Sequence, residues 1–261
     1  MKKSHHKGGF TMLIFYVRHG DPIYDPDSLT PLGHRQAEAV AKRLALFGVD
    51  EVYSSTSVRA MQTAQPLCEL LHKELKTLEF LHEDHLHSLQ LKEEGKRAMW
   101  FWTHPRYAPL FTSRALREMG DKWYTHPEFE PFHIDQIFHP IHKKLDEFFA
   151  AQGYEHDSDK GLYRVTERHQ EKRIAIFAHE NMGKIFMSHL LDVPYPYYVA
   201  HFEMKHAGVT VIRLDDGASA PGNEGPCEYA RARVLTLSND GHLFREGLPL
   251  VHSSARIRDR Y

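Results

Sequence analysis

Arg18-His19-Gly20 directly follows the apolar, β-rich run Met12-Leu13-Ile14-Phe15-Tyr16-Val17. A strand that ends in Arg-His and turns at a glycine delivers a cation and a nucleophilic imidazole to the open end of a sheet, where ligands of α/β folds bind. That combination suits phosphoryl chemistry. A second segment, Val52 to Ala64, ends a short strand and opens a helix carrying Arg59 in its first turn. A third, Ile174 to Gly183, ends a β-branched run with His179 and passes into another helix. Three strand ends therefore point Arg18, His19, Arg59 and His179 at one edge.

The elements that must position these residues alternate strand and helix, the pattern of an α/β fold with a doubly wound, mostly parallel sheet flanked by helices. After the first strand, Thr30 is an N-cap and Pro31 takes the first helical position. Leu32, Ala37, Val40, Ala41, Leu44 and Phe47 recur at helical spacing, and Gly48 stops that helix. Strands are expected near 51–54, 77–81, 173–178, 208–214 and 231–237, and helices near 58–71, 131–152 and 182–191. The stretch from Asp215 to Pro226, rich in Gly, Ala, Pro and Ser, reads as a surface loop. Residues 1–11 read as a flexible extension, 12–245 as one domain and 246–261 as a C-terminal tail. A helical cap insertion spans about 82–130, with its far boundary open as far as 170.

Taken in order, Arg18-His19-Gly20, the helix entry Leu29-Thr30-Pro31-Leu32-Gly33-His34-Arg35-Gln36-Ala37, Ser54-Ser55 with Arg59-Ala60 and Thr63-Ala64, and His179 after its strand resemble the histidine phosphatase, or phosphoglycerate mutase-like, superfamily. The resemblance covers residues 12–65 and 173–191. It implies an enzyme without a cofactor or catalytic metal, in which His19 attacks as the neutral imidazole to give a phosphohistidine. Arg18 and Arg59 would hold the phosphate oxygens with their planar forks, and His179 would complete the cage. Arginines beside His19 disfavour its protonated form.

A leaving alkoxide needs a proton, and the same resemblance places the donor in Leu81-His82-Glu83, on Glu83, with Asp84 beside it as the alternative. The chain departs from the family here, continuing Asp84-His85-Leu86-His87 where relatives turn at a glycine. It departs again at Asp25, where relatives often carry a phosphate-binding asparagine. An aspartate would repel the dianion, so Asp25 is expected to point away, and no loop residue is transferred to the site. His206, shortly before Gly208 and a strand, has two readings, pocket wall or loop. Ser54, Ser55 and Ser57 have two as well, phosphate donors or helix caps, and so has Asn181, an anion-binding amide or an ordinary cap.

Composition bounds the rest. The chain has 261 residues, 41% hydrophobic, with a net charge of -2 and only two cysteines, and Cys68 sits on a helix face as a core residue. This excludes a disulfide scaffold and gives no electrostatic reason for nucleic acid or an anionic membrane as partner. With so few cysteines a reducing cytosol is the simplest home, and a cytoplasmic enzyme acting on a small phosphorylated metabolite is expected; no stretch is long enough to span a bilayer. The 21 histidines include the groups His82/His85/His87 and His201/His206, but their spacings match no zinc motif. Between 85 and 130, Trp100, Phe101, Trp102, Tyr107, Phe111, Trp123 and Tyr124 stand among lysines and arginines. Two readings stay open: a cap wall that binds an organic body, or aromatics that pack the cap onto the core or form a homodimer contact. A mutase would be expected to carry adjacent arginines running into prolines between 82 and 130. Their absence favours a phosphatase, and the presence of both histidines and both arginines argues against the remaining alternative, a non-catalytic phosphate- or protein-binding member of the fold.

Overall fold

The computed structural model describes residues 11–95, 98–167, 171–215 and 227–249. The chain runs β1 (Thr11–Arg18), β2 (Pro22–Tyr24), β3 (Asp27–Leu29), α1 (Pro31–Ala45), β4 (Glu51–Ser54), α2 (Val58–Leu71), β5 (Leu75–Thr77), β6 (Gln90–Leu91), β7 (Met99–Trp100), α3 (Ala108–Phe111), α4 (Arg114–Glu118) and α5 (Ile134–Ala151). It continues through β8 (Tyr154–Asp157), β9 (Leu162–Val165), β10 (Lys172–Ala178), α6 (Glu180–Leu190), α7 (Tyr195–His201), β11 (Val209–Asp215), β12 (Tyr229–Asn239) and α8 (Gly241–Arg245). Eight strands form one sheet in the order β5-β4-β10-β1-β11-β12-β9-β8.

β1 is apolar at nearly every position because it is covered on both faces, as buried strands of α/β sheets are. Met12, Ile14 and Tyr16 point into one core with Phe186 and Phe149, whereas Phe15 and Val17 point into the other with Val40, Leu44 and Leu67. Helices α1 and α2 thus cover one face, and α5 and α6 the other. β1 pairs parallel with β10, β10 with β4 and β4 with β5, while β11 joins the other side of β1 antiparallel. The helix-flanked sheet that the alternation predicts as mostly parallel is present, parallel through β1, β10, β4 and β5, where the three strand ends carry chemistry, and antiparallel beyond β1.

Helix α1 starts as its residues dictate: the Thr30 side chain accepts from the Gly33 amide and Pro31 opens the first turn. It ends at Ala45, and Gly48 turns the chain back at φ 69°. Ser57 caps α2 by accepting from the Ala60 amide.

Several boundaries shift. The strand expected near 77–81 is β5 at Leu75–Thr77, and Glu79–Leu81 forms a 3-10 turn instead. The helix expected from 131 begins at Ile134, after a 3-10 segment at Pro127–Phe132. α6 starts at Glu180, directly after His179. Strand pairing begins at Thr11 opposite Asp215, one residue inside the stretch read as an extension. The β8/β9 hairpin, paired to β12, was not expected from the sequence. Residues 1–10 of the expected extension, 216–226 of the expected loop, and 250–261 of the expected tail lie outside the described residues, as do Lys96 and Arg97 of the cap.

The segment between β5 and α5 is built of short helices, 3-10 turns and a two-stranded ribbon. Its aromatics turn inward: Phe101 packs against Phe111, Phe129 and Phe132, with ring centroids 5.2, 5.5 and 4.4 Å apart. Trp123 stacks on Tyr195 of α7 at 5.5 Å and meets Phe138 of α5 edge-on. Phe101, Trp102, Tyr107, Phe111 and Trp123 are all buried. Of the two readings of the cap, packing onto the core is the one these contacts carry.

Candidate active site

The register of the parallel strands sets the site. Arg18 lies opposite Ala178, and Ser54 opposite Phe177, so β1, β4 and β10 finish at one level. The ladder runs one residue further: the His19 amide donates to the Ala178 carbonyl and the Ser55 amide to the Phe177 carbonyl, each at 2.9 Å. His19, Ser55 and His179 therefore leave the sheet together.

His19 is buried, and its Nδ1 lies 2.7 Å from the Gly20 carbonyl oxygen. A carbonyl only accepts, so Nδ1 carries the proton and Nε2 presents its lone pair. Burial, then the Arg18 charge and the neighbouring His179 and His206 rings, hold the His19 pKa well below the ordinary histidine value. The imidazole is neutral at physiological pH. The Gly20 amide donates to Thr63 Oγ1 at 3.0 Å, and that hydroxyl donates to the Arg59 carbonyl, which ties the turn after His19 to α2.

Each guanidinium is aimed by a carboxylate. Arg18 Nη1 donates to Glu180 Oε2 at 2.7 Å and also to the Met204 carbonyl. Arg59 Nη1 donates to Asp27 Oδ1 at 2.8 Å, while Asp27 Oδ2 accepts from the Val58 amide at 2.7 Å. Asp27 therefore fixes both the start of α2 and its arginine. The Nε atoms of Arg18 and Arg59 and Nε2 of His206 are buried without a hydrogen-bond partner, an unusual concentration of unmet polar groups around one imidazole.

His179 is wholly buried, with its ring 5.3 Å from that of His19. Its Nδ1 accepts from Arg59 Nη2 at 3.1 Å and its Nε2 lies 2.9 Å from Ser55 Oγ. A guanidinium only donates, so the Nε2 proton goes to Ser55 and the ring is neutral. Burial, followed by Arg59, His82 and Arg18, pushes its pKa well down. In this arrangement the positive charge comes from the two guanidiniums, and the neutral His179 ring accepts from Arg59 beside them.

Glu83 arrives from the 3-10 segment Glu83–Leu89. Its Oε1 accepts from the Asn181 amide at 3.0 Å, and its Oε2 lies 3.9 Å from His179 Nδ1. Burial raises its pKa, against the pull of Arg18, the Asn181 amide and Arg59 and with the push of Glu180. Asp84 is outside the site: its side chain is 63% exposed and meets His82 and His87.

Five residues singled out in the sequence, Arg18, His19, Arg59, Glu83 and His179, converge on one site. His206 joins them, its ring 5.4 Å from His19, its pKa brought down to about 3 by burial, then Arg18 and Arg59. Asp25 is exposed, and the loop residue that does enter is Asp27, which the sequence reading left out. Ser55 and Ser57 face His179, and Ser57 also caps α2, the cap reading of that residue. The amide of Asn181 serves the Glu83 carboxyl. Glu180 and Thr63 were missed. Glu180 had one available signal, a carboxylate immediately after the strand-end His179.

Residues 14–122 match the sequence profile of the Histidine phosphatase superfamily (branch 1). No curated protein matches the chain at the sequence level. Among solved structures, a mycobacterial glucosyl-3-phosphoglycerate phosphatase superposes with a TM-score of 0.54 at 18% identity, covering 88% of this chain and 100% of that one. A phosphoserine phosphatase from Entamoeba histolytica, in complex with 3-phosphoglyceric acid, gives 0.51 at 17% identity, with 89% and 99% covered. A protein described as mycobacterial hydrolase 1 gives 0.56 at 19% identity, with 87% and 99% covered. At these identities the likeness is one of fold.

Proposed function

Through residues 14–122 the chain belongs to the histidine phosphatase superfamily, and from that premise we propose that it hydrolyses a small phosphomonoester through a phosphohistidine on His19. The observation that carries this reading is the Nδ1 contact of His19 with the Gly20 carbonyl, which leaves the Nε2 lone pair as the nucleophile. Nε2 attacks phosphorus as the ester P–O bond breaks, and the alcohol leaves with a proton from Glu83. Glu83, now a carboxylate, takes a proton from water as that water attacks the phosphohistidine, and inorganic phosphate leaves. Arg18 and Arg59 stabilise the charge spread over the equatorial oxygens, so the chemistry needs no metal. His179 keeps Arg59 aimed at that charge.

No helix among the described residues is long and apolar enough to cross a membrane. A cytoplasmic enzyme meeting a small metabolite is part of the same proposal. The test is a panel of phosphorylated metabolites assayed for released phosphate. Small carboxylated phosphomonoesters come first, because the similar structures include phosphatases of glucosyl-3-phosphoglycerate and phosphoserine. We expect free phosphate from at least one of them. Transfer of the group to a second substrate position without free phosphate would instead identify a mutase.

A further inference from the structure

A second cluster lies at the far end of α6. His189 is nine residues beyond Glu180, so at a rise of about 1.5 Å per residue it stands about 13 Å down the helix from the site just described. There, Asp146 of α5, His156 of β8 and His189 of α6 bring one ligand atom each within 4.8 Å of one another. Asp146 Oδ1 lies 2.7 Å from His189 Nε2 and 3.1 Å from His156 Nδ1. Three separate elements thus aim their donors at one point.

Two further observations distinguish this from an ordinary ion pair. His156 has both nitrogens taken up: its Nε2 faces the two Asp192 oxygens at 3.1 Å, leaving Nδ1 directed at Asp146 and the other imidazole. A carboxylate on the outer nitrogen, orienting the ring and raising its basicity, is the arrangement that supports metal-ligating histidines. His142, one helical turn from Asp146, stacks on His189 with centroids 4.4 Å apart and has a buried Nε2 without a hydrogen-bond partner. Both histidine ligands are largely shielded, with side-chain exposures of 6% for His156 and 11% for His189, while Asp146 at 42% opens toward solvent. An ion would have a route in and a face open to water.

We propose that Asp146, His156 and His189 form a binding site for a borderline divalent transition ion of the zinc class, oriented by Asp192 and separate from catalysis. Two imidazoles and one carboxylate are a ligand set that zinc accepts, at about 2.0–2.2 Å from each atom. Tetrahedral ligands at that radius lie roughly 3.3–3.5 Å apart, so the present spacing needs shifts of well under 1 Å in the two contacts to Asp146. On binding, the protons on His156 Nδ1 and His189 Nε2 pass to solvent as nitrogen–metal bonds replace the hydrogen bonds to Asp146. The ion would clamp α5, β8 and α6, which makes its role one of stability.

The chain has 21 histidines, so zinc uptake alone decides nothing and the ligands must be mapped. The full chain is stripped with a strong chelator, desalted and titrated calorimetrically with Zn2+, and with Co2+ as a spectroscopic probe. One saturable equivalent is expected, lost in His189→Ala and in Asp146→Asn and weakened about 10–100-fold in Asp192→Asn. Zn2+ should raise the Tm of the wild type and leave that of Asp146→Asn unchanged, with circular dichroism checking that each variant folds. The rate on an aryl phosphate should be the same stripped or loaded, so the outcome here is independent of the catalytic reading. The proposal is overturned if the wild type shows no saturable equivalent. Undiminished binding by folded Asp146→Asn and His189→Ala overturns it equally.

Discussion

Glu83 holds a carboxyl group against the amide of Asn181 and within 3.9 Å of His179 Nδ1, where burial raises its pKa. A proton donor must be protonated when the substrate arrives, so the raised value extends activity upward in pH. The sign follows: kcat/KM should persist beyond the ordinary carboxylate range and fall as rising pH removes the Glu83 proton. His19, with its pKa held down, contributes no loss near neutrality. Glu83→Gln should slow alkyl phosphates by about a hundredfold or more, affect nitrophenyl phosphate much less, and remove the alkaline limb. Asp84→Asn, at an exposed position, should do none of this, and the opposite pattern would exchange the two roles. Glu83 was legible because a short motif announced it. Asp27 was not, since a carboxylate that aims an arginine works through contacts such as that between Asp27 and Arg59, which no spacing rule connects.

At the scale of elements, the loop that follows His19 is fitted against α1 by two glycines. A Cβ on Gly33 would lie 2.2 Å from the Asp21 carbonyl oxygen, and one on Gly20 would lie 2.7 Å from the Gly33 carbonyl oxygen. Gly33→Ala should therefore push α1 off the loop, destabilise the protein by about 1–3 kcal/mol and lower kcat by displacing Gly20 and His19. A thermal melt with steady-state kinetics checks it, and an unchanged Tm would contradict the close approach. The strands and long helices were readable because β1 is apolar on both faces and Thr30-Pro31 starts α1 by local chemistry. The 3-10 turn at Glu79–Leu81 and the β8/β9 hairpin were not, because what holds them is tertiary: Leu81 is buried in the main core and β9 pairs with the remote β12.

Across the whole molecule, the cap is joined to the catalytic half through Trp123, Phe138 and Tyr195. Trp123→Ala should cost about 3–5 kcal/mol of stability as a buried aromatic; a small change in Tm with a large rise in KM would make Trp123 a substrate wall instead. The sequence named these aromatics without deciding between wall and core, since both use the same residue types and only packing separates them. The sheet, by contrast, makes one chemical statement: strand ends far apart in the chain converge on His19 and leave its Nε2 free. Rapid quenching during turnover of a 32P-labelled phosphomonoester, followed by mapping of the modified peptide, tests this most directly. The account predicts acid-labile, base-stable label on His19, absent in a folded His19→Ala variant that no longer turns over. Label on another residue, or undiminished turnover by His19→Ala, would contradict it.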